Sequence, residues 1–128
     1  MTVGFKDRFV HLIECGAKKH TIREDRKDRI CGGATLHLST GVRTKNYRCF
    51  KKVLCTGTQR IIIRYNNGGY HDVFVYQDVC VCVDGRELGY REIDVLAKND
   101  GFENQNDFFK WFKSDFSGKI IHWTTLKY

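Results

Sequence analysis

Between Ala34 and Leu88 the apolar residues come in short runs, and glycine, asparagine or aspartate closes each run. Turn signals recur roughly every 8–12 residues, the spacing of hairpin-linked strands. Ala34–Ser39 puts Leu36 and Leu38 on one face and Thr35 and His37 on the other, as in a half-buried strand. Tyr47–Thr56 is a second strand, with Cys49, Val53 and Cys55 on one face. Gln59–Tyr65 carries Ile61-Ile62-Ile63, apolar on both faces, and reads as a central strand. Asn66-Asn67-Gly68-Gly69 predicts a hairpin into Val73–Tyr76. Val79–Val83 alternates valine with cysteine, and Asp84-Gly85 turns it into Arg86–Leu88.

Helical periodicity flanks this region. Phe5, Phe9, Leu12 and Ile13 share one face of a helix from about Gly4 to Cys15, with Gly16 just past its end. Lys18–Asp28 is too charged for a core element and reads as loop. Glu92–Asn99 places Ile93, Leu96 and Ala97 on one stripe. Asn104, with Asp107 three residues on, predicts the start of an aromatic helix running to about Asp115. Gly118 stops that helix, and Lys119–Tyr128 returns as a strand, with His122 and Trp123 in the packing. The order predicts one α+β domain over residues 1–128: a small, mostly antiparallel β-barrel with flanking helices.

An apolar fraction of 41% with 13% aromatics supplies a core and excludes disorder. No apolar run approaches the roughly 18 residues of a membrane span, so no membrane partner is expected. The first nine residues, with Lys6, Asp7 and Arg8, lack the apolar stretch of a secretory signal. A cytoplasmic protein with six reduced thiols is expected, most of the cysteines serving as small core residues. Cys49 and Cys55 do not have the spacing of zinc ligands, and neither metal nor cofactor is expected.

Charge is distributed unevenly. Residues 1–64 hold 15 Lys/Arg against 5 Asp/Glu, a net of +10; residues 65–128 hold 7 against 10, a net of −3. A basic half suits a polyanion such as RNA, and equally a scattered solubility charge. One cluster, Gly16-Ala17-Lys18-Lys19-His20-Thr21-Ile22-Arg23, sets cations and a hydroxyl side by side. Lys18, Lys19, His20, Arg23 and the more distant Arg43 suit a site gripping phosphate, carboxylate or a base edge. A threonine hydroxyl is a weak nucleophile and needs a base. Lys18 serves only when neutral, a state favoured by burial and by Lys19 and Arg23. The same residues have plain structural uses: Thr21 as a turn cap, Arg23 as a bridge to Asp25 or to the barrel rim, Asp100 as the residue before a glycine stop. A second cluster, Arg43, Lys45, Arg48, Lys51 and Lys52, interleaves Tyr47 and Phe50. It fits a surface that tracks a nucleic-acid backbone and stacks a base, or a solvated strand face.

The pattern Gly16-x-Lys18-x-x-Thr21-Ile22-Arg23 after an amphipathic helix, with Gly33 and an apolar strand following, resembles the ASCH domain. Ala97-x-x-Asp100-Gly101-Phe102 before an acidic-aromatic helix adds to the likeness, which spans about Phe5 to Tyr128. The resemblance implies a PUA-like barrel and an RNA or modified-nucleoside partner. Some small bacterial members are amidohydrolases that deacetylate N4-acetylcytidine, and by motif their catalytic residues fall on Lys18, Thr21 and Asp100. Those enzymes usually carry glutamate at the last position, where this chain has the shorter aspartate. The resemblance thus leaves two activities, nucleoside or RNA recognition and amide hydrolysis. A non-enzymatic regulator using the basic face on a protein is the third reading.

Overall fold

The computed structural model describes residues 1–66, 68–70 and 78–128, and the expected Val73–Tyr76 strand lies outside them. Strands β1 (Thr2–Gly4), β3 (Thr35–Thr40) and β4 (Arg48–Leu54) form one sheet in the order β1-β3-β4. The second sheet contains β2 (His20–Arg23), β5 (Gly57–Tyr65), β6 (Val79–Val83), β7 (Arg86–Glu87) and β8 (Phe116–His122), in the order β2-β8-β5-β6-β7. Among the described residues every pairing is antiparallel except β1 with β3. The helices are α1 (Val10–Glu14), α2 (Tyr90–Asn99) and α3 (Gln105–Trp111). Among the described residues the two sheets do not close into one barrel, so the architecture shown is α+β with two mostly antiparallel sheets.

Most of the period-two readings hold. Leu36 and Leu38 are buried, as are Ile61, Ile63 and the three valines of β6, while the half-buried Cys80 and Cys82 take the other face. β5 is central, and Ile61 and Ile63 stand opposite Val83 and Val81. Asp84 and Gly85 have φ of 50° and 80°, the left-handed pair of a tight hairpin turn. Ile93, Leu96 and Ala97 bury their stripe, and Asn104 accepts from the backbone N–H of Asp107 at 2.9 Å.

The N-terminus and the basic segment differ from expectation. Residues Thr2–Gly4 pair with β3, a single 3-10 turn covers Asp7–Phe9, and only Val10–Glu14 is α-helical. Phe5, Phe9 and Ile13 still point inward, because successive turns keep their spacing on one side. Lys18–Asp28 is not all loop: His20–Arg23 forms β2 against the end of β8. A polar strand can be buried there because partners remote in sequence satisfy it. Helix α3 ends at Trp111, short of Asp115, and Gly118 lies inside β8 rather than stopping a helix. A Cβ on Gly118 would come within 2.5 Å of the Arg23 carbonyl, so glycine permits β2 and β8 to lie side by side. All six cysteines are free thiols, but only Cys55 is buried; Cys15 and Cys31 are exposed. The cysteines are therefore mostly not core residues.

Both sheets and the helices contribute to one hydrophobic cluster, from Val3 and Leu36 to Ile61, Ile93 and Phe108. The C-terminal end of α2 meets the turn between α1 and β2, where the Lys19 N–H donates to the Asn99 carbonyl at 2.7 Å. That contact brings Asp100 against the basic segment.

Candidate functional site

Lys18, Thr21, Arg23 and Asp100 line one cleft of about 450 Å³. Thr21 and Arg23 share a face of β2 by the strand period, and Lys18 enters from the turn before it. Asp100 ends α2, and Gly101 follows with φ 95°. A Cβ at Gly101 would come within 3.2 Å of Lys18 Cδ and of the Phe9 ring, so the lysine stem lies flush on that backbone. The remaining wall is largely aromatic: Phe5, Phe9, Phe102, Trp111 and Phe112.

Lys18 and Asp100 are each 3% exposed. Lys18 Nζ donates to the Asp100 carbonyl at 2.5 Å and to its Oδ1 at 3.1 Å, and rides 4.8 Å above the Phe9 ring. Burial pushes the Lys18 pKa below the usual lysine range, although the Asp100 carboxylate pulls the other way. Arg23 Nε donates to Thr21 Oγ1 at 3.1 Å, its Nη2 bonds the Gly4 carbonyl, and its guanidinium stacks 4.8 Å from Phe5. Arg23 thus bridges β2 to β1 and not to Asp25, which is held by Lys119 and by backbone N–H groups.

The structure sorts the remaining candidates. His20, read as a ligand contact, is not among the residues lining the cleft. Its ring packs against His122 and Tyr128, with Nδ1 3.2 Å from Asp100 Oδ1. Lys19 is exposed next to the cleft without lining it, and Arg43 is exposed on the β3–β4 loop, whose Val42 does line it. Arg48, Lys51 and Lys52 are exposed on β4, an edge strand, with Lys45 and Tyr47 in the loop before it. Lysines on such an edge also deter strand pairing between molecules. Phe50 is half buried, edge-to-face with Phe5 at 6.3 Å, so it belongs to the core margin behind the cleft.

Sequence reasoning missed Tyr128, which bonds both His20 and Asn99, and it gave no site role to Trp111, which is 45% exposed and lines the cleft. The helical spacing of Trp111 gave no such signal: three residues after Phe108, it falls on the same stripe as Phe112. Nothing local marks Tyr128, which meets His20 across 108 residues.

No protein-family model, no curated protein and no solved structure matches this chain. Among the described residues no helix is long and apolar enough to cross a membrane.

Burial holds the His20 and His122 rings below the ordinary histidine pKa, His122 down to about 4, and Asp100 only partly offsets this at His20. Unfolded, both titrate near 6.5. Below that pH the unfolded chain binds more protons than the folded one, so stability rises with pH and is lost on acidification toward 4. Each such proton contributes a slope of about 1.4 kcal/mol per pH unit. Urea unfolding between pH 7 and pH 4.5 is expected to show this loss; a flat profile would contradict neutral, buried histidines.

Proposed function

We propose that the cleft recognises a nucleoside, free or within single-stranded RNA, as the likeness to ASCH domains implies. The observation that carries this reading is the pairing of an aromatic wall with a polar edge of Lys18, Thr21, Arg23 and Asp100 in one cleft of about 450 Å³. Small-molecule sites occupy about 300–1,000 Å³ and combine apolar walls with a few placed polar groups. A base stacks on the aromatic side, and the cations and carboxylate meet its polar edge or the adjoining phosphate. The same proposal takes the two sheets around their shared core as a PUA-like barrel of the ASCH type, working in the cytoplasm.

A second reading, hydrolysis of an acylated base amide, is favoured by one feature. Lys18 is buried with a lowered pKa on the cleft that Thr21 and Asp100 also line. A neutral Lys18 would take the proton from Thr21 or a water as its oxygen attacks the amide carbon. The carbon–nitrogen bond then breaks and that proton passes to the departing nitrogen, with Asp100 orienting the groups; where Thr21 attacked, a water then hydrolyses the acyl-threonine ester and restores the hydroxyl.

The test has two arms. Incubation with a panel of nucleosides that includes N4-acetylcytidine, read by mass spectrometry, separates hydrolysis from binding. A salt series with single-stranded RNA tests the basic face. Affinity is expected to fall with salt, and Lys51→Glu with Lys52→Glu to weaken all sequences about equally, because phosphate contacts carry no sequence information. RNA binding that ignores salt, or none at low salt, removes the RNA arm and leaves the nucleoside.

A further inference from the structure

The two oxygens of Asp100 have unequal company. Lys18 Nζ and His20 Nδ1 both approach Oδ1, at 3.1 and 3.2 Å, and no described residue donates to Oδ2. Among the described residues the sealed, partnerless side-chain atoms are Gln105 Oε1 and His122 Nδ1, so Oδ2 is not sealed, and Asp100 lines the cleft.

The surrounding bonds determine how His20 is protonated. Nδ1 faces a carboxylate and must donate. With the neutral ring's one proton on Nδ1, Nε2 is an acceptor, and the Tyr128 hydroxyl 2.6 Å away donates to it while its oxygen accepts from Asn99 Nδ2 at 3.0 Å. Tyr128 is itself clamped by Gln59 of β5. Gln59 Oε1 accepts from the Tyr128 N–H and Nε2 donates to the Tyr128 carbonyl oxygen, both at 2.8 Å. A chain of hydrogen bonds therefore runs from the central strand through Tyr128 and His20 to one carboxylate oxygen in the cleft.

We propose that His20 is a positioning residue: its Nδ1–H pins Asp100 Oδ1, so that Oδ2 is presented to the cleft as an acceptor selecting bases with an amino edge over those with a carbonyl there. The inference rests on the nucleoside reading and adds a residue outside the cleft. A carboxylate accepts from an exocyclic amine and repels a carbonyl oxygen, the logic by which acidic side chains read cytosine N4. An aspartate whose second oxygen is held by a sealed network discriminates more sharply than one that rotates.

The test measures affinity for two pairs, cytidine against uridine and adenosine against inosine, in the parent, His20→Leu, His20→Asn and Tyr128→Phe. The parent is expected to prefer the amino member of at least one pair by about tenfold or more. His20→Leu should bring that ratio close to one, and His20→Asn, whose amide N–H stands in for Nδ1–H, should restore most of it. Thermal unfolding of each variant accompanies the titrations; restoration by asparagine separates positioning from a general loss of folding. Nitrogen NMR of the parent should show His20 protonated at Nδ1, and Tyr128→Phe, which removes only the donor to Nε2 and leaves Asp100 facing Nδ1, should keep the proton there. A parent that binds nucleosides and keeps its preference in His20→Leu overturns the positioning role. A parent that binds none removes the nucleoside reading and the selectivity with it, and a proton on Nε2 in the parent overturns the orientation itself.

Discussion

Asp100→Leu is expected to cost about 3–5 kcal/mol of stability, the usual effect of removing one member of a buried ion pair. The loss does not come from the pair's own strength, because much of the attraction between two buried charges is spent on taking them out of water. It comes from what remains: Lys18, 3% exposed, loses its side-chain acceptor, and His20 loses the acceptor for Nδ1–H. The double variant Lys18→Met with Asp100→Leu should regain a large part of the loss, since it leaves no buried ammonium and fills the space with apolar atoms. Denaturant unfolding of the parent, both single variants and the double gives the coupling directly. A double variant as unstable as the sum of the singles would show that the pair is not an isolated buried unit.

The recovered double variant should nevertheless be functionally empty, which makes it the more informative protein. Lys18→Met alone is expected to lower nucleoside affinity, or turnover of an acylated nucleoside, by about 10²-fold or more, the effect of losing a placed acid–base or charged group. Thr21→Val should reduce turnover about as strongly under the hydrolase reading and leave affinity nearly unchanged, because valine matches threonine in shape and lacks only the hydroxyl. Under pure recognition both variants act on affinity alone. Steady-state kinetics and calorimetric titration on the same preparations separate the two cases.

The strands were legible where one face is apolar. Leu36, Leu38, Ile61, Ile63 and the valines of β6 report burial by alternation, and all are buried. β2 was hidden because its burial depends on hydrogen-bond partners rather than on apolar residues. His20 and Thr21 are almost fully buried yet polar, and the groups that satisfy His20, Asp100 and Tyr128, lie 80 and 108 residues away. Periodicity reports apolar faces and is silent on such strands. The N-terminal helix was overdrawn because Phe5, Phe9 and Ile13 keep a helical spacing through a strand end, a 3-10 turn and a short α-helix. Within the site, Thr21 and Arg23 share a face by the strand period, whereas Lys18 joins them from the turn before β2. The approach of Asp100 depended on how α2 docks, and the role of His20 as a bond to Asp100 had no local signal at all.

Backbone amide shift mapping tests the central claim most directly, with a nucleoside selected from the panel titrated into the parent protein. The account predicts saturable shifts concentrated at Lys18–Arg23, at Asp100–Phe102 and at the Trp111 indole, the groups that share the cleft. Those shifts should vanish in the folded Lys18→Met, Asp100→Leu double variant. Saturable shifts confined to β4 around Lys51 and Lys52, with Lys18, Thr21 and Asp100 unmoved, would contradict it.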